Sequence, residues 1–152
     1  LAGVDADLVL EPGRYLVADA GVLLTAVNTV KPTGGSTLAG VDAGMTTLLR
    51  PALYGAHHGV RSLAPDAADR DADAVDVVGP ICESTDVLAE DRRLPAPERG
   101  DLLAVGNAGA YGVEMSFQYN SRQRPAVVAL DAGEDSLARE RDGFDSLTAP
   151  ER

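Results

Sequence analysis

The residues most able to do chemistry in this sequence are two arginines, each placed where it could hold an anion. In Glu11–Arg14, Gly13 lets backbone N–H groups approach a phosphate closely, and the guanidinium of Arg14 matches a carboxylate in a bidentate fork. Arg50 and Tyr54 lie four apart in sequence, so on a helical turn they share one face and could hold a second carboxylate. The two places predict a small ligand with several anionic groups.

Both places also have a plain structural interpretation. Residues 11–14 could form a simple β-turn with a surface arginine, and Arg50 could be exposed while Tyr54 packs in the core. Lys31, the one lysine of the sequence, stands beside a proline at a predicted strand end. We expect it to be a surface residue, because an amine of lowered pKa needs a buried position.

Cysteine, tyrosine and histidine supply further candidates. Cys82, the single cysteine, could be a small buried hydrophobe, and a lone cysteine forms no internal disulfide. Tyr111 stands between two small residues, which would let its ring reach a ligand, although alone it could be a core tyrosine. His57 and His58 are adjacent, so their side chains diverge on a strand or helix, and we predict no metal site.

Other residues are assigned to structure rather than to chemistry. Asp86 is predicted to be a turn residue, and the alternating Met115, Phe117 and Tyr119 are predicted to pack.

The elements that must position these residues are mostly short strands. Apolar and β-branched stretches, separated by Gly, Pro and Asp clusters, predict strands at residues 8–10, 22–30, 38–42, 59–63, 74–78, 85–89, 101–106, 126–130 and 136–141. Helical turns are predicted at residues 15–20, 46–53, 109–115 and 144–148. Many short strands with few helical periods indicate a mainly β fold, either a barrel or a sandwich.

Composition narrows the function classes. The 152 residues carry 13 basic and 24 acidic side chains, a net charge of −11 that repels phosphate backbones and disfavours nucleic-acid binding. No apolar run approaches the roughly 18 residues of a membrane span, so no membrane segment is predicted. The sequence starts without Met or a signal peptide and has one cysteine, which suggests a piece of a longer, cytoplasmic protein.

Four strings, taken together and in this order, resemble the C-terminal half of pyridoxal-phosphate (PLP) amino-acid decarboxylases of the alanine-racemase-like class. The strings are Glu11–Arg14, Asp42–His58, Gly79–Asp86 and Gly109–Tyr111. The resemblance is strongest to the diaminopimelate decarboxylase family and covers roughly residues 7–148. It implies that residues 1–20 end a (β/α)8 PLP-binding barrel, otherwise missing, and that residues 21–152 form the C-terminal β-barrel domain. The Schiff-base lysine of the family would then lie in the missing part, so this chain alone is expected to be inactive.

The resemblance also implies cofactor contacts. Glu11 would lie near the pyridine nitrogen of PLP, and Gly13, Arg14 and Tyr111 would contact the cofactor. Arg14 and Tyr111 would also face the substrate.

The remaining implied roles concern the substrate and the proton. Arg50 and Tyr54 would line the distal end of the substrate pocket, and Glu83 would hold the distal ammonium group. Cys82 would be the catalytic proton donor after decarboxylation, because a thiol with a pKa of about 8.5 is mostly protonated at neutral pH. Cys82 and Glu83 would be donated across a homodimer interface to shared active sites.

The substrate that this set implies is meso-diaminopimelate. Ornithine, by contrast, has no distal carboxylate for Arg50 to bind. A related decarboxylase of ornithine, arginine or carboxynorspermidine is the alternative within the class. A non-catalytic dimerisation or regulatory module is the alternative from another class, because the lysine is missing.

Overall fold

Six of the eight strands in the described chain form one sheet. The computed structural model describes residue 3 and residues 5–151; residues 1, 2, 4 and 152, at the outer ends of the two predicted domains, lie outside it. The strands of this sheet are β1 (Leu23–Pro32), β2 (Thr37–Val41), β3 (Val60–Ser62), β4 (Ala72–Val78), β5 (Val87–Pro95) and β6 (Leu102–Val105). Their spatial order is β3-β6-β1-β2-β4-β5, with β2 and β4 parallel and the other pairs antiparallel.

The sheet curls until its outer strands meet. β3 and β5 stand at opposite ends of the hydrogen-bonding order, yet they lie against each other, which nearly closes a barrel. Within β4, Val75 and Val77 are fully buried and Asp76 between them is partly exposed, as the two-residue period of a strand requires. The prediction of a mainly β, barrel-like domain is therefore confirmed.

A compact set of aliphatic side chains fills the barrel. Its fully buried members are Val27, Ala39, Leu48, Val75, Val77, Leu88, Leu103 and Val105. Each valine and leucine among them contributes about 1.5–3 kcal/mol by removal of a large apolar side chain from water. Leu48 comes from the loop after β2, so burial of its side chain also fixes the start of the following helix.

Short helices and a hairpin complete the described chain. They are α1 (Arg50–Tyr54), β7 (Val127–Asp131), β8 (Glu134–Arg139), α2 (Phe144–Thr148) and five helical turns, Arg14–Leu16, Ala18–Ala20, Ala67–Asp69, Tyr119–Ser121 and Ala149–Glu151. α1 has a proline in its first turn and ends at Gly55, whose φ of +61° suits the residue after a helix. None of the helices in residues 5–151 has the length and apolar character needed to cross a bilayer.

Two predicted elements do not form. Residues 8–10 are exposed and lie in no strand, because no described strand runs beside them to share hydrogen bonds. Residues 109–115 form bends and turns instead of a helix, and Tyr111 has a φ of +59°, which breaks helical geometry. Every other predicted strand overlaps an observed one.

Candidate functional site

The first part of the site forms where the segment before β1 packs on the loop after β6. The guanidinium of Arg14 donates hydrogen bonds of 3.3 Å to the Ala110 carbonyl and 3.1 Å to the Asn107 carbonyl. The Gly109 N–H donates a 3.0 Å hydrogen bond to the Ala18 carbonyl between the same two segments. Arg14 is therefore half-buried and fixed against the loop that carries Tyr111, rather than a free surface arginine.

The hydroxyl group of Tyr111 lies next to Gly13. A Cβ atom placed on Gly13 would lie 2.9 Å from the Tyr111 hydroxyl oxygen, closer than real Cβ contacts, so a larger residue there would push the Tyr111 hydroxyl away. The positive φ of Tyr111 is rare for a residue with a side chain, and such strain is concentrated at functional sites. Tyr111 is 46% exposed, which contradicts the alternative of a core tyrosine. Its hydroxyl has no hydrogen-bond partner among the residues that the structure describes.

The second part lies on α1. The guanidinium carbon of Arg50 is 5.6 Å from the ring centroid of Tyr54, a cation–π arrangement that follows from their spacing of four on one helical face. Tyr54 is 61% exposed, so its alternative placement in the core is wrong. Arg50 Nε is buried and lacks a hydrogen-bond partner within the described chain. The pair thus presents a cation and a phenol with hydrogen-bonding capacity left for a ligand.

His58 is a buried histidine that is influenced by the charges of both Arg14 and Arg50. It is fully buried, and its Nδ1 donates a 2.9 Å hydrogen bond to the Gly106 carbonyl, since a carbonyl can only accept. Burial lowers the pKa of His58, and the positive charges of Arg14 and Arg50 lower it further. His57, in contrast, is exposed, so the two side chains diverge as predicted.

The third part is the loop between β4 and β5. Cys82 is exposed, which contradicts the alternative of a buried hydrophobe, and Glu83 beside it is exposed as well. The Tyr119 hydroxyl donates a 2.7 Å hydrogen bond to Glu83, and this bond raises the pKa of Tyr119 above its ordinary value. The ring of Tyr119 also stacks on Phe117, with centroids 6.4 Å apart.

Tyr119 is the residue that the sequence pattern assigned to packing and that the structure joins to the site. Its stacking fits the prediction, but its exposure of 45% and its bond to Glu83 do not. Asn120 and Ser121, both with positive φ, follow it and turn the chain there. The one signal in the sequence was Asn120-Ser121 after the tyrosine, which could have indicated a turn there instead of a packed strand. Asn adopts a backbone conformation with positive φ more readily than most residues.

The other predicted site residues are placed as follows. Glu11 is exposed in the irregular segment before Arg14 and makes no hydrogen bond within the described residues. Lys31 is exposed on β1, as expected. In residues 5–151, no hydrogen bond links Cys82 or Glu83 to another of the predicted site residues.

The residues around Gly13 fit a group that carries a phosphate. Gly13 carries no side chain that would block a ligand, and the unpaired Tyr111 hydroxyl and the cation of Arg14 lie at the same place. The described residues do not supply an amine for a Schiff base there, because the one lysine of the sequence is exposed on β1. The chain thus fits the phosphate end of PLP and not its covalent attachment.

Comparison with known proteins gives the family. Residues 14–109 match the family model of the pyridoxal-dependent decarboxylase C-terminal sheet domain. The chain is 51% identical over 138 residues to the diaminopimelate decarboxylase of Methanothermobacter thermautotrophicus, covering 91% of this chain and 32% of that protein. It is 51% identical over 152 residues to the diaminopimelate decarboxylase of Pseudomonas aeruginosa, covering 99% of this chain and 36% of that protein.

A solved structure shares the architecture. The crystal structure of the Helicobacter pylori diaminopimelate decarboxylase complexed with L-lysine superposes with a TM-score of 0.86 at 40% identity, over 98% of this chain and 36% of that one. The chain thus spans about a third of the length of the curated relatives it matches. With this model match and these relatives, the chain belongs to the pyridoxal-dependent decarboxylases, as part of their C-terminal sheet domain.

Proposed function

We propose that this chain is the C-terminal part of an enzyme that decarboxylates meso-2,6-diaminopimelate to L-lysine and CO2 in lysine biosynthesis. The observation that carries the proposal is the meeting of Gly13, Arg14 and Tyr111 on two distant segments, in a chain so similar to proteins named diaminopimelate decarboxylase. A chain with an excess of acidic residues keeps two arginines, Arg14 and Arg50, near one buried histidine. Two cations suit a substrate with two carboxylates.

The chain's residues divide between the cofactor and the substrate. Gly13, Arg14 and Tyr111 hold the phosphate end of PLP, with Glu11 near its ring. Arg14 and Tyr111 also face the substrate. Bound PLP supplies the electron withdrawal that lets the bond between the α-carbon and its carboxylate break. Arg50, with Tyr54 against it, binds the distal carboxylate of the substrate, because a guanidinium pairs with a carboxylate through two hydrogen bonds.

The loop between β4 and β5 acts on the other end of the reaction. The exposed Cys82 thiol gives its proton to the carbon that has lost CO2. Glu83, held by Tyr119, binds the distal ammonium group of the substrate. Within residues 5–151 both side chains are exposed and neither is hydrogen-bonded to another of the predicted site residues, which is compatible with their donation to the active site of a second subunit in a homodimer.

The rest of the enzyme is assigned by the same proposal. Residues 1–20 end the (β/α)8 barrel, and residues 21–152 form the β-barrel domain. The Schiff-base lysine comes from outside these 152 residues, so the chain alone is inactive, and the enzyme acts in the cytoplasm.

A substrate panel tests the proposal. The full-length enzyme, loaded with PLP, is assayed for CO2 release from meso-diaminopimelate, ornithine, arginine and carboxynorspermidine. We expect the highest kcat/KM for meso-diaminopimelate. A preference for another substrate in the panel would redefine the enzyme within its class, and no CO2 from any of them would support a non-catalytic module.

A further inference from the structure

Asp86 is the most enclosed carboxylate that the functional roles above leave unused. It lies just before β5 with only 3% of its surface exposed. Its Oδ1 accepts a 2.5 Å hydrogen bond from the Met45 N–H, and its Oδ2 accepts a 2.7 Å hydrogen bond from the Ile81 N–H. Each carboxylate oxygen therefore binds a different loop.

Two glycines make room for this carboxylate. A Cβ atom on Gly44 or on Gly79 would overlap the Asp86 carboxyl group, so both backbones press directly against it. Gly44 lies in the loop after β2, and Gly79 lies at the start of the loop after β4. Van der Waals contacts from Gly44 and Gly79 therefore join the Asp86 carboxyl group to the same two loops that its hydrogen bonds join.

The two loops lead directly to proposed site residues. The loop that contains Met45 runs into α1 and Arg50, and the loop that contains Ile81 continues to Cys82 and Glu83. A displacement of the Asp86 side chain would therefore move both the loop that leads to Arg50 and the loop that carries Cys82 and Glu83.

Further hydrogen bonds close this connection into a ring. The backbone N–H of Asp86 donates to the Glu83 carbonyl at 3.1 Å, and the Phe117 N–H donates to the Thr46 carbonyl at 3.0 Å. Phe117 leads to Tyr119, whose hydroxyl binds the Glu83 side chain. Glu83 is thus held from its backbone by Asp86 and from its side chain by a segment that is itself attached beside Met45.

We infer that Asp86 is a positioning residue that fixes the loop of Cys82 and Glu83 and the loop that leads to Arg50, so that each loop is held in place for the active site that it serves. The inference rests on the proposed function and deepens it, since Asp86 itself touches neither substrate nor cofactor. A carboxylate suits this task because an anion makes stronger hydrogen bonds to N–H groups than a neutral acceptor does. An amide at the same position would turn a donor toward one of the two N–H groups.

Asp86→Asn in the full-length enzyme tests the inference against a matched control. Asp76→Asn removes a similar carboxylate, which accepts 2.8 Å hydrogen bonds from the Asp91 N–H and the Ser36 hydroxyl but contacts neither loop. We expect Asp86→Asn to lower kcat about tenfold and to raise KM for meso-diaminopimelate, whereas Asp76→Asn leaves both within about twofold. Equal kinetic constants in the two variants, or a loss of thermal stability without a change in kcat and KM, would overturn the inference.

Hydrogen exchange followed by mass spectrometry gives a readout that needs no activity. Gly44→Ala crowds the carboxylate from the first loop only, and Gly40→Ala, whose Cβ would be 3.5 Å from the Thr29 side chain, is its control. We expect Gly44→Ala, but not Gly40→Ala, to speed amide exchange in residues 79–83 of the second loop. Unchanged amide exchange in residues 79–83 of Gly44→Ala refutes the inference. This test does not need the Asp86→Asn variant and therefore holds even if that variant does not fold. If the wild-type enzyme decarboxylates nothing, the proposed function fails and this exchange experiment still decides the role of Asp86.

Discussion

The Tyr119 hydroxyl donates a hydrogen bond to Glu83 Oε1 across a separation of 36 residues. Both side chains are exposed, so the bond adds little to folding, but it orients a carboxylate at the loop that carries Cys82. The bond depends on the phenol proton, because phenolate cannot donate. Orientation of Glu83 by Tyr119 is therefore open to direct measurement.

The first prediction concerns the pKa of Tyr119. The hydrogen bond to Glu83, followed by the negative charge of Glu83, raises this pKa above 10.0. A raised pKa means that the folded chain holds the proton more tightly, so the bond is present below pH 10.0 and is lost as the pH rises through the raised value. Glu83→Gln should move the pKa down toward 10.0. The pKa of Tyr119 is measured from phenolate absorbance in the wild-type and Glu83→Gln proteins, after the absorbance of the matching Tyr119→Phe variant is subtracted. An equal pKa in the two proteins would contradict the hydrogen bond.

The second prediction concerns Cys82. In the full-length enzyme, Cys82→Ala should lower kcat roughly a hundredfold, the typical share of a general acid, with little change in PLP affinity. The side chain is exposed, so the free energy of unfolding should change by less than about 0.5 kcal/mol. Steady-state kinetics, PLP titration and urea unfolding give the three quantities. Near-normal turnover would remove Cys82 from the mechanism.

The third prediction concerns Arg50. Arg50→Ala should raise KM for meso-diaminopimelate, because one charge-assisted contact worth about 1.5–3 kcal/mol is lost. Arg61→Ala removes an exposed arginine from β3 and is the control. An unchanged KM in Arg50→Ala, equal to that of Arg61→Ala, would mean that Arg50 does not touch the substrate. Tyr54→Phe keeps the ring under the guanidinium and should raise KM less.

Local sequence signals predicted the strands and the shared face of Arg50 and Tyr54, because both depend on residues close in sequence. The order of the strands in the sheet depends on long-range pairs such as Leu23 with Val105, for which a single sequence gives no register. Residues 8–10 show the converse error. Their apolar pattern before a Pro-Gly turn predicted a buried strand, but a strand needs a neighbour, and none of the described strands runs beside them.

In the candidate site, too, the sequence predicted local features and not the contacts between residues far apart in sequence. The strings that suggested Arg14 and Tyr111 could not show that a Cβ on Gly13 would meet the Tyr111 hydroxyl, since the two segments are almost a hundred residues apart. Tyr119 was assigned to packing because alternation with Phe117 is a packing signal. Its bond to Glu83 joins residues 36 apart, a contact that no local pattern specifies.

The last prediction concerns the hairpin of β7 and β8 at low pH. Asp142, with a side chain only 8% exposed, accepts hydrogen bonds from the Arg124 side chain at 2.8 Å and from the Gln118 amide at 2.9 Å. The bond from Arg124 is the main cause that lowers the pKa of Asp142 from 3.8 to about 2. A lowered pKa stabilises the folded chain at pH values above 3.8, and this contribution is lost as the pH falls through about 2.

Asp142→Asn should therefore destabilise the chain near neutral pH by about 1–2 kcal/mol, a range discounted for the partly exposed Arg124. The difference from wild type should shrink below pH 3.8 and be nearly absent at about pH 2. Asp135→Asn, on the exposed surface of β8, is the control and should change stability little at any pH. Urea unfolding across this pH range measures the effect. A pH-independent loss in Asp142→Asn would show that the side chain acts through shape and not through its charge, because only the charged form gains from the guanidinium of Arg124.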